Sequence, residues 1–215
     1  MKGCVVFASA LLLPSLAMAA SIVVHNTGVD SSDVLVAPGA STAFWLLSSK
    51  PGGATETIGS NPFRFNCCYW ADQSNAAWVS TVAGGSSSAG GNYVYDLQIN
   101  LTGLDPSSAV ISGKYGSDNS GQVWLNGNAP VLVQGSNFGS YPASPNFTIS
   151  SGFVPGINTI HVQVTNEGNP TAFFVQFTSA TANAAAGVPE PGAMALTFGA
   201  LAGLTFLRRR TARRA

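Results

Sequence analysis

One tryptophan with polar neighbours is the part of the sequence that best fits a binding site. Trp124 lies between two apolar residues, and because successive side chains of a strand point to opposite faces, its indole is expected to point outward. A flat aromatic ring beside amide and carboxylate groups suits the binding of a sugar. The candidate ligand-binding residues are therefore Trp124, Gln122, Asn126 and Asp118. The alternative is that Trp124 packs on a second sheet or beneath a loop.

Few of the groups that catalysis requires are present. The sequence has no G-x-S-x-G, G-x-x-x-x-G-K-[ST] or H-E-x-x-H motif. His25 and His161 are far apart, and His161 falls on the polar face of a predicted strand, where a solvated side chain is expected. Carboxylate pairs of glycosidases have no fixed spacing, but residues 21–187 contain only the glutamates Glu56 and Glu167. We predict no catalytic residues, no cofactor and no metal site, and hence a protein that is not an enzyme.

Cys67 and Cys68 are the cysteines that remain after the first 19 residues. Two thiols in an oxidising compartment normally pair, but adjacent cysteines can close only a strained ring or pair between two chains. The third alternative is a pair of reduced, buried thiols. Tyr69 and Trp70 follow directly and, like Trp78, are predicted to belong to the core.

The charge distribution excludes one class of function. The formal net charge is zero, but residues 21–187 hold three basic residues against eight acidic ones, which leaves −5. Nucleic-acid binding requires a basic face on the folded domain. We therefore predict no nucleic-acid partner. The hydrophobic content of 46% is sufficient for a core.

Residues 1–19 have the pattern of a secretory signal peptide. Lys2 is followed by an apolar stretch over residues 5–16, and Ala17 and Ala19 form an A-x-A cleavage site. The prediction is export across a bacterial inner membrane by the Sec machinery, with cleavage near Ala20. An uncleaved anchor is the alternative, although Pro14 interrupts its short apolar run.

The C-terminal segment has three parts in a fixed order: a proline-containing motif, an apolar stretch and a basic cluster. The 15 apolar residues 193–207 would form a helix about 22 Å long, shorter than the roughly 30 Å hydrocarbon core. The basic cluster would hold the tail on the cytoplasmic side. The motif is Val188, Pro189, Glu190 and Pro191, and the cluster is Arg208, Arg209, Arg210, Arg213 and Arg214.

Residues 188–215 resemble the PEP-CTERM sorting signal. The resemblance implies export, transient insertion in the inner membrane and processing by exosortase, an integral-membrane cysteine protease. Proteins of that family are usually found in species that make an exopolysaccharide matrix, so the cell surface or that matrix is the expected destination. An ordinary single-span anchor is the alternative.

Short alternating segments separated by glycine, proline and asparagine predict an all-β fold, a β-sandwich or jelly roll over residues 20–178. Asn126-Gly127 between two apolar runs is a strong hairpin signal. Residues 179–187, rich in alanine, are predicted to be a flexible stalk. The predicted strands are residues 21–24, 42–47, 93–101, 110–115, 122–125, 130–133, 147–149, 157–165 and 172–177.

Residues 93–178 resemble the galactose-binding-like jelly roll in the segments 118–127, 156–160 and 164–168. The resemblance implies a fold that occurs in carbohydrate-binding modules and in accessory domains of glycosidases. It predicts a non-catalytic domain that binds carbohydrate, with exopolysaccharide as the expected partner. A structural matrix protein without a defined ligand is the first alternative, and a glycoside-processing enzyme is the second.

Overall fold

The computed structural model describes residues 19–66, 70–83, 88–135 and 145–185, which form an all-β structure. A short 3-10 turn, Pro106–Ser108, precedes the sixth strand. The eleven strands within these ranges are β1 (Ala19–Ser21), β2 (Leu46–Ser49), β3 (Phe63–Arg64), β4 (Val79–Ser80), β5 (Gly91–Asn100), β6 (Val110–Asp118), β7 (Ser120–Leu125), β8 (Leu132–Gln134), β9 (Asn146–Ile149), β10 (Ile157–Asn166) and β11 (Ala172–Asn183).

The strands form two antiparallel sheets. One has five strands in the order β2-β5-β10-β7-β8. The other has six, with β3-β4-β11-β6-β9 in order and β1 paired to the far end of β11. The main core lies between them, because it draws its buried side chains from both sheets. This confirms the predicted all-β sandwich.

Alternation along β5 and β10 sets the inner face of the five-stranded sheet. Every second residue is buried, and these buried residues are apolar except for Asn158 and Asn166 at the ends of β10, while the residues between them are partly or fully exposed. A strand with period two can bury one face only, so this pattern fixes which side meets the core. The inward residues named by the pattern, all buried as predicted, are Tyr93, Tyr95, Leu97, Ile99, Leu101, Ile160, Val162 and Val164.

The predicted hairpin at Asn126-Gly127 is also confirmed. Strands β7 and β8 pair antiparallel, and the Asn128 amide donates to the Leu125 carbonyl across the turn. Asn126 has a φ of 51°, a left-handed conformation that asparagine tolerates better than most residues.

The predicted flexible stalk is wrong for residues 179–185. Strand β11 continues to Asn183, whose carbonyl accepts from Asp105 and whose amide donates to the Ser108 hydroxyl. Ala185 donates to the carbonyl of Gly103. These backbone bonds to a distant loop extend the strand, although its alanine-rich composition alone resembled a linker. Residues 186–187 lie outside the described residues.

The outer face of the six-stranded sheet carries a second apolar cluster. Phe174 and Ala172 point outward from β11 and are covered by Phe65, Trp70 and Trp78. The rings of Trp70 and Trp78 stack at 4.8 Å, and those of Trp78 and Phe174 lie 5.7 Å apart. Trp70 and Trp78 therefore belong to packed structure, as predicted.

Several predicted features fall outside the described residues. They are the signal peptide up to residue 18, with Ala17, the pair Cys67 and Cys68 with Tyr69, and the whole of residues 188–215. Ala19 is described, and it opens β1 opposite Asn183. Within the described ranges, no helix is long and apolar enough to span a membrane.

Candidate functional site

Four residues form one line across the outer face of the five-stranded sheet. Leu46 on β2 is opposite Asp96 on β5, Asp96 is opposite His161 on β10, and His161 is opposite Trp124 on β7. Antiparallel partners in register have their side chains on the same face, so these four point to the same side. We call Leu46, Asp96, His161 and Trp124 the cross-strand row.

Trp124 is half-buried and lies outward, as the sequence predicted. Its neighbours Val123 and Leu125 are buried in the core. The indole stacks on the imidazole of His161, with the ring centroids 5.1 Å apart and the planes at 18°. Contacts between aromatic rings add about 0.5–1.5 kcal/mol beyond simple burial, so His161 helps to hold the indole in place.

His161 is not the solvated histidine that the sequence predicted. Its side chain is 21% exposed, and its Nδ1 lies 2.6 Å from Oδ1 of Asp96, which is 25% exposed. Because an ionised carboxylate only accepts hydrogen bonds, Nδ1 carries the proton in this contact. In the neutral ring, Nε2 is then left as an acceptor. The histidine is fixed from one side by Asp96 and from the other by Trp124.

The Ser48 hydroxyl donates to the same oxygen of Asp96 at 2.8 Å. A nucleophilic serine requires a hydroxyl on the imidazole nitrogen that serves as its base. Here Ser48 and His161 both contact the carboxylate instead. The arrangement therefore orients His161 and does not activate Ser48.

Two outward glutamine side chains border a shallow cavity on the sheet that carries Trp124. Gln122 on β7 is opposite Gln163 on β10, both on the outer face, and they line a cavity of about 280 Å³. The amide of Gln163 donates to the Thr165 hydroxyl, which donates to Oδ1 of Asn92. Amides and hydroxyls beside an aromatic ring can donate to and accept from the hydroxyls of a sugar.

Asn126 and Asp118, two of the four predicted ligand-binding residues, lie in other surroundings. The Asn126 amide donates to the Gly152 carbonyl and to Asn158, and its oxygen accepts from the Thr159 amide. These bonds hold the hairpin against a neighbouring loop. Gln122 is thus the predicted neighbour that remains beside Trp124 on the outer face.

Asp118 ends β6, so it belongs to the other sheet. It is only 4% exposed, and neither of its carboxylate oxygens has a hydrogen-bond partner. Burial, and to a smaller extent the nearby carboxylate of Glu167, raise the pKa of Asp118 to about 6. The sequence places Asp118 only six residues from Trp124, but the reversal of the chain between β6 and β7 assigns them to different sheets.

Sequence reasoning missed Asp96 and Gln163 as members of the site. Both residues occupy polar positions in strands where apolar and polar residues alternate. The sequence alone therefore predicts that their side chains point outward. The register that sets Asp96 beside His161, and Gln163 beside Gln122, depends on strands far apart in the chain. No three His, Cys, Asp or Glu side chains converge to hold a metal ion within the part of the chain that the structure describes.

Comparison with known proteins leaves the family of this chain open. No family model and no curated protein matches it. A solved structure with some similarity is a β-glucosidase from Kluyveromyces marxianus in complex with glucose, at 13% identity and a TM-score of 0.31. The match covers 63% of this chain and 15% of that one.

Proposed function

We propose that the outer face of the five-stranded sheet binds a neutral polysaccharide without catalysis. The observation that carries the proposal is Trp124, an outward indole that stacks on His161 and lies on the same face as Gln122 and Gln163. The resemblance to galactose-binding-like jelly rolls supports the same reading, because that fold occurs in carbohydrate-binding modules. On this proposal the sandwich is a jelly roll of that kind.

The charges of the domain favour a neutral ligand. Lys50 donates to the carbonyls of Ala54 and Glu56, and Arg64 pairs with Asp72 beside the six-stranded sheet. Among the described residues, the strand positions on the outer face of the five-stranded sheet include no lysine or arginine. An anionic polysaccharide would therefore find no lysine or arginine on these described strands to bind its charges.

The proposed setting is the bacterial cell surface or extracellular matrix. The support is the signal-peptide pattern of residues 1–19 and the resemblance of residues 188–215 to a PEP-CTERM signal. On this proposal the chain passes through the Sec machinery, is held in the inner membrane by residues 193–207 and is processed by an exosortase-like protease.

Retention of the purified protein on the exopolysaccharide of the producing bacterium tests the binding proposal. Trp124→Ala should reduce the affinity several-fold, because stacking on an indole contributes on the order of 1 kcal/mol. Trp124→Phe keeps an aromatic face and should lose less, which makes it the matched control. If the wild-type protein is not retained at any salt concentration, a structural surface protein without a defined ligand is the better reading. Equal retention of all three proteins would remove Trp124 from the site.

The sorting proposal is tested by Glu190→Ala in the full chain. An unprocessed form should accumulate in the inner membrane, because the motif that precedes the apolar stretch is altered. Glu167→Ala removes a glutamate from the folded domain and should be processed normally. Intact masses of the protein from the envelope and from the medium distinguish the forms. Processing of Glu190→Ala at the wild-type level would contradict the proposal.

A further inference from the structure

A second cavity opens at the other end of the cross-strand row. It has a volume of about 440 Å³ and lies along β2, the edge strand of the five-stranded sheet. Asp96 of the row lines it, and Leu46 of the row forms part of its wall. The cavity is therefore continuous with the face that carries Trp124. Three strand spacings of about 4.8 Å separate Leu46 from Trp124, a distance of about 14 Å that a short oligosaccharide can span.

The walls of this cavity are apolar and open to solvent. Leu46 is 44% exposed and Ile58 is 51% exposed, and together with Phe44 they form its hydrophobic part. The polar part consists of His25, Ser48, Asp96 and Gln98. An apolar wall next to a few hydrogen-bonding groups is the usual composition of a small-molecule site.

Specific interactions fix the wall at Phe44. Its backbone has a φ of 69°, which is rare for a bulky side chain and persists only where the surroundings enforce it. The ring stacks on His25, with centroids 3.5 Å apart and planes at 8°, and Nδ1 of His25 lies 2.7 Å from Oδ1 of Asp33. The cavity is thus preformed, which reduces the free-energy cost of ordering it around a ligand.

We infer that this cavity is a second subsite of the polysaccharide site, and that it binds an acetyl group carried by the sugar chain. The inference rests on the proposed function. The acetyl methyl fits against Leu46 and Ile58, while the Gln98 amide is the donor for its carbonyl oxygen. No lysine or arginine lines the cavity, and His25 is paired with Asp33, so a neutral acetyl group suits it better than a carboxylate or sulfate substituent.

The experiment compares two preparations of the same exopolysaccharide, one deacetylated with mild alkali and the other acetylated with acetic anhydride. The full-length protein should bind the acetylated preparation about three- to fivefold more tightly, as expected for burial of roughly one methyl group. Ile58→Ser should reduce this preference while retaining the affinity for the deacetylated preparation, and Leu46→Ser should also reduce the preference. Ile157→Ser changes a residue of similar exposure, 55%, that does not line the cavity, and should retain the preference.

The failure of this inference and that of the proposed function give different results. Equal wild-type affinity for the two preparations, both weakened by Trp124→Ala, overturns the acetyl subsite and keeps carbohydrate binding. A preference that survives both Ile58→Ser and Leu46→Ser overturns the location of the subsite. Absence of wild-type binding to either preparation overturns the proposed function, and the subsite with it.

Discussion

The two sheets of the sandwich both have aromatic side chains on their outer faces, but the described residues cover only one of these faces. On the six-stranded sheet, Phe174 lies beneath Trp78 and Trp70 in a buried cluster. On the five-stranded sheet, Trp124 is half-buried and bordered by His161 and by the polar side chain of Gln122. An outward aromatic residue is therefore a candidate for ligand binding only where the described part of the chain does not cover it.

The cover over the six-stranded sheet is held by a partly buried ion pair. Arg64 on β3 donates from Nη2 and Nε to Oδ2 of Asp72, at 2.7 and 3.1 Å. The other oxygen of Asp72 accepts from the backbone amide of Trp78 at 2.9 Å. These bonds tie the segment that carries Trp70 and Trp78 to the sheet, so this face is part of the stable fold.

The largest expected effect on stability comes from removing the ring of Phe174, which packs beneath that cover. Phe174→Ala should lower the free energy of unfolding by about 3–5 kcal/mol, the usual cost of truncating a buried phenylalanine. Trp124→Ala, on the other face, should lower it by about 1–2 kcal/mol, because the half-buried indole loses its stacking on His161. Urea denaturation followed by circular dichroism measures both. Similar losses of stability for the two variants would show that Phe174 and Trp124 are packed to a similar extent on the two outer faces.

The second effect concerns Asp118, whose raised pKa makes the stability of the domain depend on pH. Its folded-state pKa of about 6 exceeds the ordinary value of 3.8, so the folded protein binds more protons than the unfolded chain between these values. The free energy of unfolding should therefore rise as the pH falls from 7 to 4. The difference between the two pKa values corresponds to at most about 3 kcal/mol. Water screens the part that comes from the exposed Glu167, so we expect a contribution of about 2 kcal/mol.

Asp118→Asn removes the charge and keeps the shape of the side chain. At pH 7 it should stabilise the domain by about 1 kcal/mol, less than the full contribution, because a buried amide without partners also has a cost. Glu167→Gln should retain most of the pH dependence, since burial is the larger cause of the shift. Denaturation curves at pH 4, 5, 6 and 7 provide the measurement. An unchanged pH profile in Asp118→Asn would contradict this account.

The sequence predicted most accurately those parts of the fold that depend on local alternation. Strands β5 and β10 were predicted to within two residues at each end, because their apolar residues recur with period two and point to one core. Strands β3 and β4 have two residues each and are too short to show an alternation of apolar and polar residues. They form only because residues 63–64 and 79–80 meet across the covering segment, a long-range contact that no local pattern indicates.

The site was predictable to a similar extent. Alternation is sufficient to point Trp124 and Gln122 outward. It cannot show that Asp96 and His161 lie beside them, because register between strands is a property of the folded chain. It also cannot separate Asp118 from Trp124, since proximity in sequence does not reveal that the chain changes sheets between β6 and β7.

The smallest expected effect comes from a matched pair of glutamines, one on each outer face. Gln122 lines the 280 Å³ cavity on the sheet that carries Trp124, whereas Gln176 on β11 donates to Asn75 on the opposite side of the sandwich. Gln122→Ala and Gln176→Ala should each change the free energy of unfolding by less than about 0.5 kcal/mol, since neither removes buried apolar contacts. Only Gln122→Ala should weaken retention on the exopolysaccharide, by about two- to fivefold, the usual loss for one hydrogen bond. Affinity electrophoresis of both variants on the same gel measures the difference. Equal mobility shifts for the two variants would mean that the open face of the five-stranded sheet holds no polar contact with the sugar at Gln122.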